Sequence, residues 1–369
     1  MDSLNKIYIE PTNGCNLKCR TCIRHVWNEP EGEMEWDLYA SLIEQVSANG
    51  TPCTIAFSGF GEPLMHPRFP DMVRLAHEKG LRTEVTSNAQ LLSQSLASEL
   101  VDAGLDQFVV SIDGTSSKTY CDVRDGASLE TIKRNMRTFY LYALHTQHGR
   151  PSVRIGIEFV AMKRNISELP ELSRIAPLIG ASFIVVSNVI PHTKELKDEV
   201  LYGLKMTAYR GQGSRWVPTW HMPKMDWNNL TSETLSRIHK TQANVQFLDI
   251  NLNERNNYCP FIHTNSITIA WDGSVSPCPA LMHHYTYYVR DREKVVKPCK
   301  VGSLRGKSLF DIWHEPEYVS FRERVRTFDF PPCVDCNCEL VESNEADCYG
   351  NTFPVCGDCL WARGIIRCA

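Results

Sequence analysis

Fifteen cysteines lie in this chain of 369 residues, and their uneven placement constrains the fold more than any other feature. Three form a tight C-x3-C-x2-C loop at Cys15, Cys19 and Cys22, directly after the strand-like run Ile7-Tyr8-Ile9. Ten more fall between Cys259 and Cys368, and only Cys53 and Cys121 lie between the two groups. In a small secreted chain such a count reads as disulfides; in a long chain without an apolar leader it reads as metal ligation. Met1 to Lys6 contains no apolar core of a signal peptide, and no apolar run reaches transmembrane length. The expectation is a cytoplasmic protein with no membrane partner. A net charge of -4 and scattered basic residues give no electrostatic footprint for nucleic acid.

Between the cysteine groups the chain alternates strand and helix. Strands are expected at Lys6–Glu10, Thr54–Ser58, Arg82–Thr86, Gln107–Ile112, Val153–Ala161 and Phe183–Val186. Helices are expected at Asp37–Val46, Pro70–Glu78, Leu92–Ala103, Leu129–Leu144 and, less regularly, Ile166–Ile179. Six strands in this rhythm imply βα units and a parallel sheet. The expected fold class is α/β, a partial (β/α)6 TIM-like barrel with one open side, over residues 1–190. Polar and glycine-rich stretches follow the strands, where sites assemble in parallel α/β folds. Residues 191–258, with Trp216, Trp220, His221, Met222, Met225 and Trp227, read as a connector or a substrate-facing wall. Residues 259–369 read as a cysteine-rich domain, with a hairpin turn at Trp271–Ser274 and a helix over Leu309–Val325.

Thiolates hold iron–sulfur clusters, and three of them on one loop leave one iron of a four-iron cube free for another ligand. The spacing alone also accommodates a zinc site, or a ferredoxin-like cluster with a distant fourth ligand. A cysteine-rich end admits a zinc-ribbon-like domain on the same grounds.

The loop C-x3-C-x2-C after the first strand resembles the signature of the radical S-adenosylmethionine (SAM) superfamily. The resemblance implies a 4Fe-4S cluster on Cys15, Cys19 and Cys22 whose open iron binds SAM. It implies reductive cleavage of SAM to a 5′-deoxyadenosyl radical that abstracts hydrogen from a substrate. Gly59-Phe60-Gly61-Glu62-Pro63 resembles the family's GGEP motif, which holds the SAM amino group. Ser87, Asn88, Ser111, Arg124, Ile184 and Ser187 stand where related enzymes contact SAM, Arg124 facing its carboxylate. Two departures stand out: Thr21 replaces the usual aromatic before the third cysteine, with Arg20, Ile23 or Trp27 as substitutes, and Phe60 replaces a glycine.

Cys259, Gly273 and Cys278, followed by Cys333-x2-Cys336, resemble the opening of the SPASM domain. That implies two auxiliary 4Fe-4S clusters. The expected grouping is Cys259, Cys278 and Cys356 (or Cys359) in one, and Cys333, Cys336, Cys348 and Cys368 in the other. Cys53, Cys121, Cys299 and Cys338 are expected to be free thiols. Pro279 after Cys278 argues against sulfatase maturation. The tail from Val341 to Cys368 resembles the maturase subfamily associated with tungsten-dependent aldehyde oxidoreductases. A reductase, ferredoxin or flavodoxin is implied as electron donor, and a protein, peptide or cofactor as substrate. A SPASM enzyme acting on a precursor peptide, or a non-catalytic iron–sulfur electron carrier, carries the same cysteine framework.

Overall fold

A computed structural model describes residues 3–146, 152–203, 219–223, 225–226, 228–240, 244–247, 250–251 and 257–368. Six parallel strands follow one another across a sheet: β1 (Lys6–Ile9), β2 (Thr54–Phe57), β3 (Arg82–Ser87), β4 (Gln107–Ser111), β5 (Arg154–Ala161) and β6 (Ala181–Asn188). Their register alternates cleanly. Ile7, Ile55, Phe108, Ile155 and Phe159 lie on the outer face and are buried beneath helices. Tyr8, Ala56, Glu84, Gln107, Glu158 and Ser187 lie on the inner face, towards the open side.

The helices α1 (Trp36–Ala48), α2 (Phe69–Glu78), α3 (Gln94–Asp102), α4 (Ser117–Val123) and α5 (Leu129–Thr146) cover the outer face. Leu42, Ile43 and Val46 on α1, Met72 and Val73 on α2, and Ile132, Met136 and Phe139 on α5 complete the core. Each such side chain contributes about 1.5–3 kcal/mol on burial. Gly80 and Gly104 end α2 and α3 with φ of +73° and +84°, the left-handed conformation that a C-terminal glycine supplies. Between β5 and β6 the chain runs through short helical turns that include α6 (Leu172–Ile175), broken by Pro170 and Pro177.

The N-terminus of α4 is held by Glu168. Its carboxylate accepts from the Thr115 and Ser116 N–H groups and from the Ser116 and Thr119 hydroxyls at 2.6–3.1 Å. Partial burial opposes its charge, but these hydrogen bonds outweigh it and hold the group at about 2. An unfolded glutamate titrates at about 4.3. The depressed native value therefore adds stability above that range, and this is lost as pH falls towards about 2. Wild type is expected to lose more melting temperature between pH 5 and pH 3 than Glu168→Gln. Equal losses would remove this role from Glu168.

After β6 come α7 (Lys194–Asp198), a small sheet of β7 (Thr219–Met222), β8 (Asn244–Phe247) and β9 (Ile250–Asn251), and α8 (Ser232–Lys240). Trp216 and Trp227 lie outside the described residues, and Met225 is exposed. The cysteine-rich region joins the barrel sheet directly. β10 (Ser266–Ile269) pairs parallel with β1, with Ile7 opposite Ile267. β11 (Ser274–Ser276) and β14 (Gly302–Ser303) extend the sheet to nine strands. The hairpin expected at Trp271–Ser274 joins β10 to β11, with Gly273 at φ +84°. β12 (Tyr285–Val289) and β13 (Arg292–Val296) form a separate hairpin. The helix expected over Leu309–Val325 is two helices, α9 (Leu309–Trp313) and α10 (Pro316–Thr327), because Pro316 cannot continue the first. Among the described residues no helix is long and apolar enough to cross a membrane.

Candidate functional site: a cysteine loop at the strand ends

The residues after β1 to β4 converge at the C-terminal ends of the strands. The cysteine loop is pinned to the turn after α4: Lys18 N–H donates to Asp125 O at 3.1 Å and Arg20 N–H to Val123 O at 2.8 Å. Leu17 is buried beneath it. Arg20 is held by Asp122 and Glu195, which Arg164 also bridges. Cys15, Cys19 and Cys22 are all half-buried. Asn88 Nδ2 lies 3.9 Å from Cys15 Sγ and 2.9 Å from Asn16 Oδ1. Arg124 Nη1 lies 4.0 Å from Cys19 Sγ.

The Gly59–Pro63 loop packs against the same segment. Glu62 N–H donates to Gly14 O at 2.8 Å. A Cβ on Gly61 would stand 1.9 Å from Thr12 O, so only glycine permits this approach. The Glu62 carboxyl is 2% exposed. It accepts from Ser87 Oγ at 2.7 Å, Asn88 N at 2.8 Å and Leu64 N at 3.0 Å. Burial pushes its pKa up against these hydrogen bonds. Glu62, Ser87 and Asn88 thus form one unit tying β2 to β3.

Asp113, fully buried at the end of β4, connects two elements. Its Oδ1 accepts from Val160 N at 2.7 Å and its Oδ2 from Arg124 Nε at 2.7 Å. Burial opposes the Arg124 charge, but Asp113 and Cys19 hold the guanidinium above its usual range. Ser111 is buried on the same strand, its carbonyl 3.4 Å from Tyr120 Oη. Ser187 faces inward and accepts from Arg367 N at 3.0 Å, so the chain's tail lies over β6. Ile184 pairs with Ile157 on the outer face, 39% exposed, and is not brought together with the inner group.

Of the three substitutes for the missing aromatic, Arg20 is committed to ion pairs and Ile23 to the core. Trp27 packs edge-on to Phe60 at 5.4 Å and against His283 at 4.1 Å. His283 is buried between Glu10 and Glu29, with Nε2 3.1 Å from Glu10 Oε2 and Nδ1 2.6 Å from Glu29 Oε2. Burial disfavours its charge, but the two carboxylates outweigh this and raise its pKa. An imidazolium can donate to both. Glu10 also accepts from Phe60 N at 3.1 Å, which links the cysteine-rich region to the Gly59–Pro63 loop. Glu158, half-buried on β5, is pushed to about 7, first by burial and then by Asp113, with Arg124 opposing. The sequence signal for Glu158 is alternation with Ile157 and Phe159; none marks His283, more than 250 residues from its carboxylate partners.

The other cysteines fall into distinct places. Cys259, Cys278, Cys356 and Cys359 line one apolar-walled cavity together with Lys294 and Asp358. Cys333 lies beside Cys336 and Asp358, while Cys338 and Cys348 are exposed. Cys368 accepts from Trp361 Nε1 at 3.4 Å, and its charged neighbours are Glu158 and Lys6, not the Asp358 and Lys294 that flank Cys333.

These thiols fit iron–sulfur ligation. Burial pushes Cys15, Cys19 and Cys22 up, Cys22 to about 11, and Cys259 and Cys333 to about 12. Bound metal is what ionises a thiol in such surroundings. Among the described residues no three His, Cys, Asp or Glu side chains converge as a single-ion site.

Comparison with known proteins accords with this arrangement. Residues 9–149 match the Radical SAM superfamily, and residues 259–338 match the family described as an iron-sulfur cluster-binding domain, SPASM. A Pyrococcus furiosus protein, the tungsten-containing aldehyde ferredoxin oxidoreductase cofactor-modifying protein, is 32% identical over 98% of this chain and 96% of its own length. The Fe-coproporphyrin III synthase of Methanosarcina barkeri is 30% identical over 44% of this chain and 38% of its own. Among solved structures, Streptococcus suis SuiB bound to its precursor peptide SuiA superposes with a TM-score of 0.57 at 19% identity. That match covers 86% of this chain and 66% of SuiB, and carries the fold. With the cysteine loop, the strand-end residues and the full-length relative in agreement, this chain belongs to the radical SAM superfamily, as a member with a C-terminal SPASM iron–sulfur domain.

Proposed function

We propose that this chain is a radical SAM maturase acting on a tungsten-dependent aldehyde oxidoreductase or its cofactor. The observation that carries this reading is the likeness to the Pyrococcus furiosus cofactor-modifying protein along both chains, cysteine-rich region included. When bound, the cluster and SAM supply reductive cleavage of the sulfonium C–S bond and a 5′-deoxyadenosyl radical.

The residues divide the remaining work. Cys15, Cys19 and Cys22 hold the SAM-binding cluster, and Asn88 and Arg124 set the polarity beside Cys15 and Cys19. Main chain at Gly59–Gly61 takes the SAM amino group, and Glu62 keeps that loop in place through Ser87 and Asn88. Arg124, already charged beside Asp113, serves the SAM carboxylate. Trp27 and Phe60 supply the aromatic wall that Thr21 does not. Cys259, Cys278, Cys356 and Cys359 hold one auxiliary cluster. Cys333 and Cys336 hold a second, with Cys348 as its further candidate; Cys368, beside Glu158 and Lys6, is set apart from it. The chain works in the cytoplasm and takes electrons from a low-potential reductase, ferredoxin or flavodoxin.

The test is co-expression. A tungsten-containing aldehyde oxidoreductase made beside this chain should oxidise aldehyde. Made beside a Cys15, Cys19 and Cys22 triple-alanine variant, it should contain the metal yet be at least tenfold less active. Equal activity from both preparations would remove the oxidoreductase as target and favour a precursor peptide.

A further inference from the structure

We infer that Lys294 is a shared electrostatic control of both auxiliary clusters, a buried positive charge that raises the electron affinity of each. This rests on the proposed ligation of one cluster by Cys259, Cys278, Cys356 and Cys359 and of another through Cys333 and Cys336.

Lys294 sits at a buried position of β13, 3% exposed. Its Nζ bonds to Oδ1 of Asp358, itself 1% exposed. A lysine that far from water is costly unless paired, and Asp358 provides the pairing. Arg292, two residues earlier, donates to the other oxygen of Asp358 at 3.1 Å. The local triad is therefore two cations on one carboxylate, and carries excess positive charge.

Both cysteine groups meet at this triad. Lys294 and Asp358 line the cavity that holds the four thiols of the first group. Asp358 lies between Cys356 and Cys359 in the chain. On the other side, Arg292 Nη1 donates to Cys336 O at 2.6 Å. Cys333 Sγ would stand 3.1 Å from a Cβ on Gly357, so the Cys356–Cys359 turn packs directly on the second group.

A four-iron cluster on thiolates carries net negative charge, and more after accepting an electron. A fixed cation nearby therefore favours the reduced form, and weak solvent screening strengthens the effect. Removing the cation lowers the potential; removing its carboxylate raises it. A role confined to packing would produce no such opposition of sign.

The experiment is an anaerobic redox titration of the full reconstituted chain, followed by electron paramagnetic resonance, with iron counted in every sample. Lys294→Met should reduce the reduction equilibrium constant of both auxiliary clusters about tenfold, which for one electron is about 59 mV downward. Lys294→Arg should stay close to wild type, and Asp358→Asn should move both clusters upward. The SAM-binding cluster, whose thiols lie on the separate Cys15–Cys22 loop, should not move and is the internal reference. Full-iron Lys294→Met titrating like wild type would overturn the inference, as would Asp358→Asn moving in the same direction as Lys294→Met. If Lys294→Met sheds auxiliary iron, Asp358→Asn and Lys294→Arg decide by the same rule. Wild-type protein with iron for the SAM-binding cluster alone would instead remove the auxiliary clusters themselves.

Discussion

Replacing Cys15, Cys19 and Cys22 together by alanine should abolish 5′-deoxyadenosine formation from SAM while leaving the auxiliary iron in place. The three thiols share one loop, clamped by the turn after α4 and by Asn88. The thiols of the first auxiliary group line a separate cavity beneath the β12–β13 hairpin. The polar contacts to the three removed side chains come from the loop itself, at Asn16 and the Leu17 N–H, and from Asn88 at Cys15 and Arg124 at Cys19. All three side chains are only half-buried at the edge of the core, so the fold should survive. Iron analysis and activity, measured on the same preparation, check this. Loss of all iron would show that the two cysteine regions do not load independently.

Arg124→Ala should be among the most destabilising single changes in the barrel, at about 3–5 kcal/mol. The Asp113 side chain is fully buried and that of Arg124 is 11% exposed. Asp113 would keep its hydrogen bond from Val160 N but lose its only counter-charge among the described residues. Much of the cost belongs to the stranded carboxylate, so Asp113→Asn in the Arg124→Ala background should recover a large part of it. SAM cleavage should not recover, because the cation beside Cys19 is still missing. Denaturant unfolding reads the first effect and 5′-deoxyadenosine formation the second. A loss below about 1 kcal/mol would mean that water reaches Asp113 and solvates it.

The fold was legible where local pattern and chemistry coincide. β-branched runs followed by Gly59–Pro63, Ser87-Asn88 and Asp113-Gly114 announced both the strands and the end at which a site forms. The pairing of β10 beside β1 is not legible in the same way, because Ile267–Ala270 is equally a hairpin strand of a separate domain. The helical spacing over Leu309–Val325 continues past Pro316, although a proline there favours the start of a second helix over the continuation of a first. Ile184 resembles a site residue only by its position on β6; strand alternation puts it with Ile157 on the outer face and Ser187 on the inner. The Glu10–His283–Glu29 contact and the Lys294–Asp358–Arg292 triad join segments far apart in sequence, and no spacing rule reaches across such gaps. Thr21 and Phe60 are the instructive pair. Each departs from the family pattern alone, and the edge-on packing of Trp27 against Phe60 is not legible from either position.

The most direct measurement is product analysis of the anaerobically reconstituted, chemically reduced full chain incubated with SAM. 5′-Deoxyadenosine and methionine should appear in equal amounts, only after reduction, and only while Cys15, Cys19 and Cys22 are intact. Iron-loaded, reduced protein that leaves SAM uncleaved would contradict a radical-forming site at the strand ends.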